Sequence, residues 1–563
     1  MNCSPKHNHA FVVVDYLVDG ARTVAGLMDG KARLLGTSVV GSAGEARFVV
    51  GDGVRHLQTL EGCRRVYFDA VFGRAVEQKF GLPVSNDFDD VKVVGRLLED
   101  ERFHELERQC CPAPASANGA VGPPVVSPLS MAVERSLHRA RQIWSAFAPG
   151  QLMGRLVAAQ LQTVYRDIEL PVVDATIHMI RNGIPVDLEL LRGIEASHAV
   201  QVEIARCQLS EAAGREVNAD SLPDVSALLF EQAGLPVLAR NRDGSPATSD
   251  IVLRQLEPLH RAVGPLRAYR TAKPVLDAAH QLLSHYDAVT GCVHAELDPL
   301  GTVTGRFSCS KPALQALPPA LMGVFRAPPG YGFIEADFSQ IELRVLAQLS
   351  GDQAFVGAFQ DPGTDIHRRT AAAVLAIPEE QVSIEDRQTV GKAVNFGIIY
   401  GETSQGLAHK LDILCSAAQS LIDAFYGCYP TVATWINFVQ QQACTSGIVT
   451  TAYGRPRRLG DVRSRDPGRA SHALRQAVNT VVQGTAADLN KFALVRLFRA
   501  LPDDCRLLLT IHDSFLLAAP VHRLQEVVGV VRQILESPPP GFSVPIKASI
   551  RTGTTWAQCK EYS

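Results

Sequence analysis

The hydrophobic pattern of residues 1–108 alternates short β-type runs with one helical segment. The runs at 11–14, 47–50 and 65–68 are rich in β-branched or aromatic residues, which favours strands. The stretch 91–107 has apolar positions at helical spacing. We therefore predict a small α/β unit. The Pro-, Ala-, Gly- and Ser-rich stretch 110–129 is typical of a linker.

Helical periodicity dominates from residue 130 onward. Residues 165–182 form an amphipathic pattern, which the Gly- and Pro-containing segment 183–187 ends. Further along, the pattern is helical over 188–290 apart from a loop near 241–246, β-rich from residue 292, and helical again over 346–445. These patterns predict an α/β protein of several subdomains, which agrees with the length of 563 residues.

Two aspartates stand at turns where a carboxylate can face a cleft. Residues 331–336 form a strand pattern and a helical pattern follows from Ile341, so Asp337 lies at the junction of a strand and a helix. Residues 507–517 read as strand, tight turn and strand, with His512 and Asp513 at the tip. We expect both carboxylates to lie at the ends of strands.

A helix predicted over 386–400 lies between these aspartates in the sequence. It carries Gln388, Lys392, Phe396 and Tyr400 at four-residue intervals, which keeps side chains on one face. An aromatic stripe at this spacing is usually part of a core. A lysine within the stripe favours a binding surface instead, because a buried unpaired cation is costly.

Two aspartates and a lysine on a helical face are the groups that nucleotidyl transfer requires. Phosphoryl transfer needs alignment and charge neutralisation rather than covalent help from the protein. Two divalent metal ions about 4 Å apart can supply both, and carboxylates suit Mg²⁺ because it is a hard cation. Asp337 and Asp513 are the candidate ligands. Two close carboxylates repel each other, so an ionised pair indicates bound cations.

The distribution of charge adds a class of partner. The net charge is only −3, yet residues 455–475 carry seven arginines against Asp461 and Asp466. The arginines of this basic stretch are Arg455, Arg457, Arg458, Arg463, Arg465, Arg469 and Arg475. Such local charge in a slightly acidic protein predicts a polyanion-binding surface.

Composition argues against membrane and secreted classes. No apolar run approaches the roughly 18 residues that span a bilayer, and residues 1–9 have no apolar signal-peptide core. The twelve cysteines are scattered without a Cys-x-x-Cys pair, and Cys110 and Cys111 are adjacent. We expect reduced thiols, a cytoplasmic location and no membrane partner.

Together these motifs resemble the family A DNA polymerases over about residues 170–563. The run from Asp337 to Arg344 carries the resemblance most specifically, and the other motifs follow in the family's order. The resemblance implies a right-hand polymerase with an N-terminal exonuclease-like (RNase H-like) domain. Its implied divisions are 1–150 exonuclease-like, 151–295 thumb, 296–345 palm, 346–445 fingers and 446–563 palm again.

The same resemblance implies activity and partners. The chain would extend a primer 3′-hydroxyl with dNTPs on primer–template DNA, as a monomer, with two Mg²⁺ ions for which Mn²⁺ can substitute. A bacterial or phage-infected cytoplasm is the implied setting, and the compact length and eroded N-terminal domain fit a phage or plasmid enzyme. The biological role and any processivity partner stay open.

The resemblance also assigns roles to single residues. Asp337, Asp513 and the Phe338 carbonyl would hold metal, with Lys392 acting on the leaving pyrophosphate. The implied dNTP-contacting residues are Arg306, Gln340, Glu342, His367, Lys392, Phe396 and Tyr400. Glu342 would crowd the sugar 2′ position and select deoxyribonucleotides. The implied DNA-contacting residues are Gln315, Arg455, Arg475, Asn479, Gln483 and His512.

The polymerase region departs from the family pattern at several positions. The family has Arg four residues before the lysine, where this chain has Gln388, with Arg387 one step away. Either Arg387 reaches across the helix, or phosphate binding relies on Lys392, His367 and Arg306. Ala313 and Ala316 replace common asparagines, which removes minor-groove contacts. Ser514 replaces a less critical Glu.

The N-terminal domain departs further. Family proofreading domains open with Asp-x-Glu, but Asp15 is followed by Leu17 where the Glu belongs. Asp69 and Asp90 fall near later family positions, and 130–145 offers Glu134 but no Asp. With half the carboxylates absent, a metal cage is not expected. We predict an exonuclease-like fold without proofreading, in which Asp15 and Asp69 are ordinary strand-end and turn residues.

Two alternative functions remain to be weighed. A single-subunit RNA polymerase shares this metal chemistry, and Glu342 argues against it. A primer–template binding protein without catalysis gains slight support from Gln388 and Ser514. The presence of Asp337, Lys392 and Asp513 argues against that alternative.

Overall fold

The structure is a computed structural model that describes residues 11–19, 33–40, 46–50, 64–67, 69–79, 88–98 and 152–562, except 242, 362, 364 and 540. The predicted linker 110–129, the end of the helix predicted over 91–107, and Glu134 lie outside the described residues. The backbone of Asp15 and Leu17 is described, but their side chains are not.

The N-terminal unit is built on a mixed five-stranded sheet. Its strands are β1 (Phe11–Asp19), β2 (Arg33–Val40), β3 (Ala46–Val50), β4 (Arg64–Tyr67) and β5 (Phe88–Asp90). Their order is β3-β2-β1-β4-β5. The first three strands are antiparallel, whereas β1, β4 and β5 run parallel. Helix α1 (Ala70–Lys79) follows β4 and helix α2 (Val91–Leu98) follows β5.

The predicted strand runs of this unit are confirmed in β1, β3 and β4, whereas β2 and β5 were not predicted. The parallel strands bring three acidic positions to one edge. Asp15 lies in β1, Asp69 follows β4, and Asp90 ends β5. The carboxyl ends of adjacent parallel strands meet at a common edge, which is where α/β folds place ligands.

A helical region follows the N-terminal unit. Its helices are α3 (Leu152–Ala158), α4 (Leu170–Asn182), α5 (Leu188–Ala213), α6 (Leu222–Ser226), α7 (Asp250–Leu256) and α8 (Val263–Ser284). A π-helical turn, Val164–Glu169, leads into α4. The predicted break is confirmed at Gly183, where φ is +59° and α4 ends. The Asp187 side chain caps α5, which packs along α8.

A second five-stranded sheet forms the centre of the C-terminal region. Its strands are β11 (Tyr331–Phe338), β14 (Arg506–Ile511), β15 (Ser514–Pro520), β16 (Ala548–Gly553) and β17 (Lys560–Glu561). β11 lies between β15 and β16 and is antiparallel to both. The sheet thus joins strands that are almost 200 residues apart in the sequence, at positions 331–338 and 514–520.

Helices pack around this sheet. Between β11 and β14 these are α9 (Ile341–Ser350), α10 (Gln353–Gln360), α11 (Ile366–Leu375), α12 (Ile384–Asp386), α13 (Lys392–Tyr400), α14 (Ser404–Leu411), α15 (Cys415–Cys428), α16 (Pro430–Ser446) and α17 (Pro467–Ala500). Helix α18 (Leu524–Glu536) follows β15. The helical prediction for 346–445 is confirmed.

Three small sheets complete the described chain. They comprise β6 (Ile184–Pro185), β7 (Tyr286–Asp287) and β8 (Cys292–Val293); β9 (Glu296–Asp298) and β10 (Ser308–Ser310); and β12 (Ile448–Thr450) and β13 (Pro456–Arg458). One hydrophobic core runs from α1 through α4 to the central sheet and its helices. Within the described residues, no helix has both the length and the apolar character needed to cross a bilayer.

Candidate active site

The two predicted carboxylates lie side by side at one edge of the central sheet. Asp337 is the penultimate residue of β11 and pairs in register with Ser514 of β15. Asp513 immediately precedes Ser514, and its carbonyl accepts a hydrogen bond from the Phe338 N–H at 3.1 Å. The expected strand end and hairpin tip are confirmed, and β-pairing fixes how close they lie.

Each turn that carries an aspartate also contains a non-glycine residue in the left-handed region. Gln340 has φ +56° between β11 and α9, and His512 has φ +52° at the hairpin tip. Such conformations cost of order 1–3 kcal/mol each and cluster at functional sites. The backbone around both carboxylates is therefore held in shape by the sheet rather than by local preference.

Without a bound cation, Asp337 and Asp513 are protonated more readily than an ordinary aspartate. Burial, followed by repulsion from Asp513 and Glu335, raises the pKa of Asp337 to about 7. Burial also raises the pKa of Asp513 to about 6 against the opposing effect of Arg306. Oδ1 of Asp513 is buried and has no hydrogen-bond partner among the described residues. Arg306 Nη2 lies 3.8 Å from this oxygen.

These oxygens suit a divalent metal ion whose other ligands come from a bound substrate and from water. In the described part of the chain, no group of three or more His, Cys, Asp or Glu side chains is placed to bind a metal. Mg²⁺ often binds through one or two carboxylates plus substrate phosphates and water. Asp337 and the Oδ1 of Asp513, which accepts no hydrogen bond from the described residues, fit that partial ligand set.

A cleft of about 510 Å³ opens at these carboxylates. It is lined by Arg306, Asp337, Phe338, Gln340, Ile341, Glu342, Leu343, His367, Lys392, Phe396, Tyr400, His512 and Asp513. All of these except Ile341 and Leu343 are residues that the sequence singled out. Ile341 and Leu343 are buried apolar residues of α9.

Helix α13 forms the opposite wall with a cation and two aromatic rings. Lys392 and Tyr400 are exposed, and Phe396 is half-buried between them. The Phe396 and Tyr400 rings lie nearly parallel, with centroids 6.3 Å apart and 17° between their planes. The predicted common face is confirmed for these three residues. A flat ring surface beside a cation suits a ligand with a base and phosphates.

The prediction is wrong for the turn before Lys392. Residues Arg387–Gly391 form a π-helical turn rather than part of a continuous α-helix. The Lys392 N–H bonds to the Arg387 carbonyl, five residues back, instead of four residues back to Gln388. The extra residue in this turn takes Gln388 off the shared face, and Gln388 does not line the cleft.

Arg387 is held near the cleft by an acidic partner. Its Nε donates to Oδ2 of Asp365 at 2.5 Å. Oδ1 of Asp365 accepts from the backbone N–H groups of His367 and Arg368, so Asp365 caps α11. The guanidinium thus lies at the N-terminus of α11, where backbone N–H groups already favour anions.

His367 is buried and neutral at physiological pH. Burial lowers the pKa of His367 to about 4, and Arg387 and Lys392 add to this against the opposing effect of Asp365. Asn395 Nδ2 lies 3.0 Å from Nδ1 of His367, while Asn395 Oδ1 accepts from Thr370. Nδ1 is then the acceptor, and Nε2 carries the ring proton for a ligand. Sequence reasoning missed Asn395, although it directly precedes Phe396.

Glu342 connects the two walls of the cleft. Its side chain is buried and accepts a hydrogen bond from Arg306 through Oε1 and from the Tyr400 hydroxyl through Oε2 at 3.2 Å. Burial, then the charge of Glu342, raises the pKa of Tyr400. Glu342 therefore narrows the cleft between α9 and α13.

The predicted DNA contact of Arg455 is corrected by its burial. Its side chain is only 5 % exposed and pairs with Glu169 and Asp488. Lys491 shares Glu169 at 2.6 Å, which completes a buried network of four charges. The guanidinium is not available to a DNA backbone. Other arginines of the basic stretch are exposed: Arg458, Arg463, Arg465 and Arg469.

The remaining predicted DNA contacts lie on or near one long helix. Arg475, Asn479 and Gln483 follow one another at four-residue steps on α17 and are partly exposed. Oδ1 of Asn479 is buried and has no hydrogen-bond partner among the described residues. Gln315 lies elsewhere, half-buried in a short turn, where its Nε2 donates to the Phe307 carbonyl at 3.3 Å.

The acids of the N-terminal unit act as helix caps. Asp90 accepts from the Ala70 N–H at 2.9 Å and from the Val93 N–H at 3.2 Å. Asp69 accepts from the Phe72 N–H, and its Oδ2 pairs with Lys92 at 2.9 Å. Burial, then repulsion from Asp69, raises the pKa of Asp90 to about 7. Lys92 therefore neutralises the charge of the Asp69 carboxylate.

The cleft thus has the groups that bind a polyanionic ligand with a flat ring beside paired carboxylates. Comparison with known proteins agrees with that class: residues 189–558 match the sequence profile of DNA polymerase family A, and the chain belongs to this family. The chain is 33 % identical over 427 residues to the thermostable DNA polymerase I of Thermus aquaticus, covering 73 % of this chain and 50 % of the relative.

Other relatives give the same picture. DNA polymerase I of Geobacillus stearothermophilus is 33 % identical over 438 residues, which is 76 % of this chain and 49 % of the relative. The chain spans about half the length of the curated relatives it matches. The solved POL domain of Pol1 from M. smegmatis, in complex with DNA primer-template and dNTP, has a TM-score of 0.84 at 23 % identity. That match covers 98 % of this chain and 97 % of the other, and it establishes the fold.

Proposed function

We propose that the chain is a template-directed DNA polymerase that extends a primer 3′-hydroxyl with dNTPs, using two Mg²⁺ ions. The observation that carries the proposal is the single cleft that joins Asp337 and Asp513 to the Lys392–Phe396–Tyr400 face. Family membership and the primer–template and dNTP in the solved relative support it. In that reading 296–345 and 446–563 form the palm, since their strands share one sheet.

Other parts of the predicted setting are proposals of the same kind. We propose that residues 151–295 form the thumb and 346–445 the fingers. We also propose a monomeric enzyme of the phage or plasmid type in a bacterial or phage-infected cytoplasm.

In the proposed mechanism, the chain's residues hold and orient the reactants. Asp337, Asp513 and the Phe338 carbonyl would hold the metal ions, which when bound would neutralise charge on the triphosphate and favour deprotonation of the primer hydroxyl. Arg387, Lys392 and Nε2 of His367 bind phosphate oxygens. The primer oxygen then bonds to the α-phosphorus as pyrophosphate leaves, and Lys392 is positioned to give the leaving group a proton. Phe396 and Tyr400 pack against the sugar and base.

DNA binding is proposed for surfaces beyond the cleft. Arg475, Asn479 and Gln483 offer donors along α17, and asparagine and glutamine can read minor-groove acceptors common to all base pairs. The exposed arginines of the basic stretch contribute charge without sequence preference. Arg455 supports this region from inside rather than touching DNA. His512, exposed at the hairpin tip, would contact the primer terminus.

The test is extension of a labelled recessed duplex with Mg²⁺, with and without dNTPs. We expect growth with dNTPs and a constant primer length without them, because Asp69 and Asp90 are committed to helix caps and Lys92. Shortening without dNTPs, in a nuclease-free preparation, would contradict the predicted loss of proofreading. Binding of the duplex without growth would favour a primer–template binding protein instead.

A second experiment addresses the sugar. Because Glu342 is buried and held by Arg306 and Tyr400, it cannot easily move away from a 2′-hydroxyl. Glu342→Ala is expected to lower the preference for dNTP over NTP about tenfold. The ratio of the two kcat/KM values measures this effect independently of any general loss of rate.

Tyr400→Phe is the matched control for the sugar experiment. It removes the hydroxyl that bonds Glu342 but keeps the ring and the carboxylate, so we expect a smaller change in the ratio. A wild-type chain that prefers NTPs would point to the RNA polymerase alternative, and an unchanged ratio in Glu342→Ala would remove Glu342 from sugar selection.

A further inference from the structure

Arg306 is carried by a loop that closes the small β9–β10 hairpin. Asp298 of β9 pairs in register with Ser308 of β10. Within the loop, the Arg306 N–H donates to Oγ1 of Thr302 at 2.9 Å, and the Gly305 N–H donates to the Thr302 carbonyl at 3.1 Å. The position of the Arg306 side chain in the cleft therefore depends on how the base of this hairpin is held.

Asp298 is the side chain that ties the hairpin base together. Its Oδ1 accepts from the Leu300 N–H at 2.9 Å, which starts the loop. Its Oδ2 accepts from Arg96 Nη1 at 2.8 Å and lies 3.4 Å from Lys92 Nζ. Arg96 Nη1 also donates to the Leu300 carbonyl at 3.0 Å. Two cations of helix α2 thus hold a polymerase loop from the N-terminal unit.

Asp298 is ion-paired with Lys92 and Arg96. Burial alone would raise the pKa of Asp298, but Lys92 and Arg96 outweigh it and lower that pKa to about 2. Lys92 also pairs with Asp69 at 2.9 Å. Asp69, at the edge of the N-terminal sheet, therefore pairs with Lys92, and Lys92 also lies beside Asp298 of the hairpin.

We propose that the N-terminal unit has a role in nucleotide addition, namely that Arg96 and Lys92 support the loop that places Arg306 against Glu342 and Asp513. Arg96 is then a positioning residue that acts through Arg306. The inference rests on the proposed polymerase function. It accounts for an N-terminal unit in which Asp69 and Asp90 are committed to helix caps and to Lys92.

The loop that carries Arg306 is also supported on its opposite side, and this second support limits the loss of activity expected when Arg96 is replaced. Gly305 has φ +80°, and a Cβ there would lie 2.6 Å from Nε of the buried Arg455. The loop is therefore also held by the Glu169–Arg455–Asp488 network. Loss of Arg96 loosens one support and leaves the other, so we expect a partial loss of activity rather than its abolition.

The first test compares Arg96→Ala with a matched control at the same junction. Gln78→Ala removes a hydrogen bond from Arg181 of α4 at 2.7 Å, which does not involve the hairpin. Single-nucleotide extension by Arg96→Ala is expected to show a kcat/KM for dNTP about fivefold below wild type. Arg96→Lys, which keeps the charge, should recover most of it, and Gln78→Ala should match wild type.

A double-mutant cycle separates positioning from general stability. If Arg96 acts through Arg306, adding Arg96→Ala to Arg306→Ala should cause no further loss. A further fivefold loss in that background, or equal losses in Arg96→Ala and Gln78→Ala, would overturn the inference. Should Arg96→Ala fail to fold, Asp298→Asn serves in the same cycle, since it loses the charge but keeps an acceptor for Leu300. A wild-type chain that extends no primer overturns the proposed function itself.

Discussion

Replacing Asp337 by alanine is expected to lower the rate of primer extension about a thousandfold or more, which corresponds to roughly 4 kcal/mol of transition-state stabilisation. Asp337 and Asp513 are the two proposed side-chain ligands of the metal ions, because the third carboxylate of the cleft, Glu342, is bonded to Arg306 and Tyr400. The loss of Asp337 therefore removes a large share of the proposed ligands. DNA binding should change little, because the exposed arginines and α17 lie on other elements.

Single-turnover incorporation with a matched binding assay measures both parts of this prediction. Asp513→Ala should behave like Asp337→Ala, since Asp513 is the other proposed metal ligand and its buried Oδ1 has no hydrogen-bond partner among the described residues. Asp504→Ala removes an exposed carboxylate that pairs with Arg523 just before β14, and it should extend primers normally. Substantial extension by Asp337→Ala would remove Asp337 from the metal site.

The second large effect concerns the residues around the π-helical turn. Lys392→Ala is expected to lower kcat/KM for dNTP about a hundredfold, because Lys392 lines the cleft and carries a charge that phosphate needs. Arg387→Ala should lower it about tenfold, since Arg387 is shared with Asp365 at the N-terminus of α11. Gln388→Ala should have little effect, because Gln388 is exposed and outside the cleft.

The order of these three effects is the informative result. Steady-state and single-turnover kinetics with one dNTP give kcat and KM for each variant, and loss of phosphate contacts should raise KM in all affected variants. If Gln388→Ala were more harmful than Arg387→Ala, the α-helical spacing predicted from the sequence would describe the working enzyme better than the π-helical turn does.

Sequence reasoning placed both aspartates correctly because their signals are local. The strand that leads to Asp337 and the hairpin that turns at Asp513 can each be predicted from the strand-type pattern of a few neighbouring residues. The two turns lie close together because β11 pairs with β15. Sequence reasoning reached that proximity through the resemblance to a family rather than through the pattern itself.

The π-helical turn could not be predicted in the same way. Its five residues, Arg387–Gly391, contain one apolar side chain, so a change of one residue in phase leaves the hydrophobic pattern almost unaltered. Strand β2 was missed for a related reason: Gly36, Thr37 and Ser38 interrupt the apolar run that would have marked it.

The burial of Arg455 depends on residues far away in the sequence. Its partner Glu169 is 286 residues distant, and Asp488 lies on another helix. A local count of arginines therefore predicted a surface charge where the fold makes an internal one. The other arginines of the basic stretch lie on β13, in the segment that follows it and on the first part of α17. Four of them, Arg458, Arg463, Arg465 and Arg469, are exposed as the local charge predicted.

The contact between Gly391 and His367 limits how this region can move. A Cβ at position 391 would lie 2.0 Å from the His367 carbonyl oxygen, so the two backbones touch without room for a side chain. Helices α11 and α13 cannot slide past each other at that point. If α13 moves toward the carboxylates, α11 must move with it as one rigid unit. His367 and Lys392 would then reach a nucleotide together.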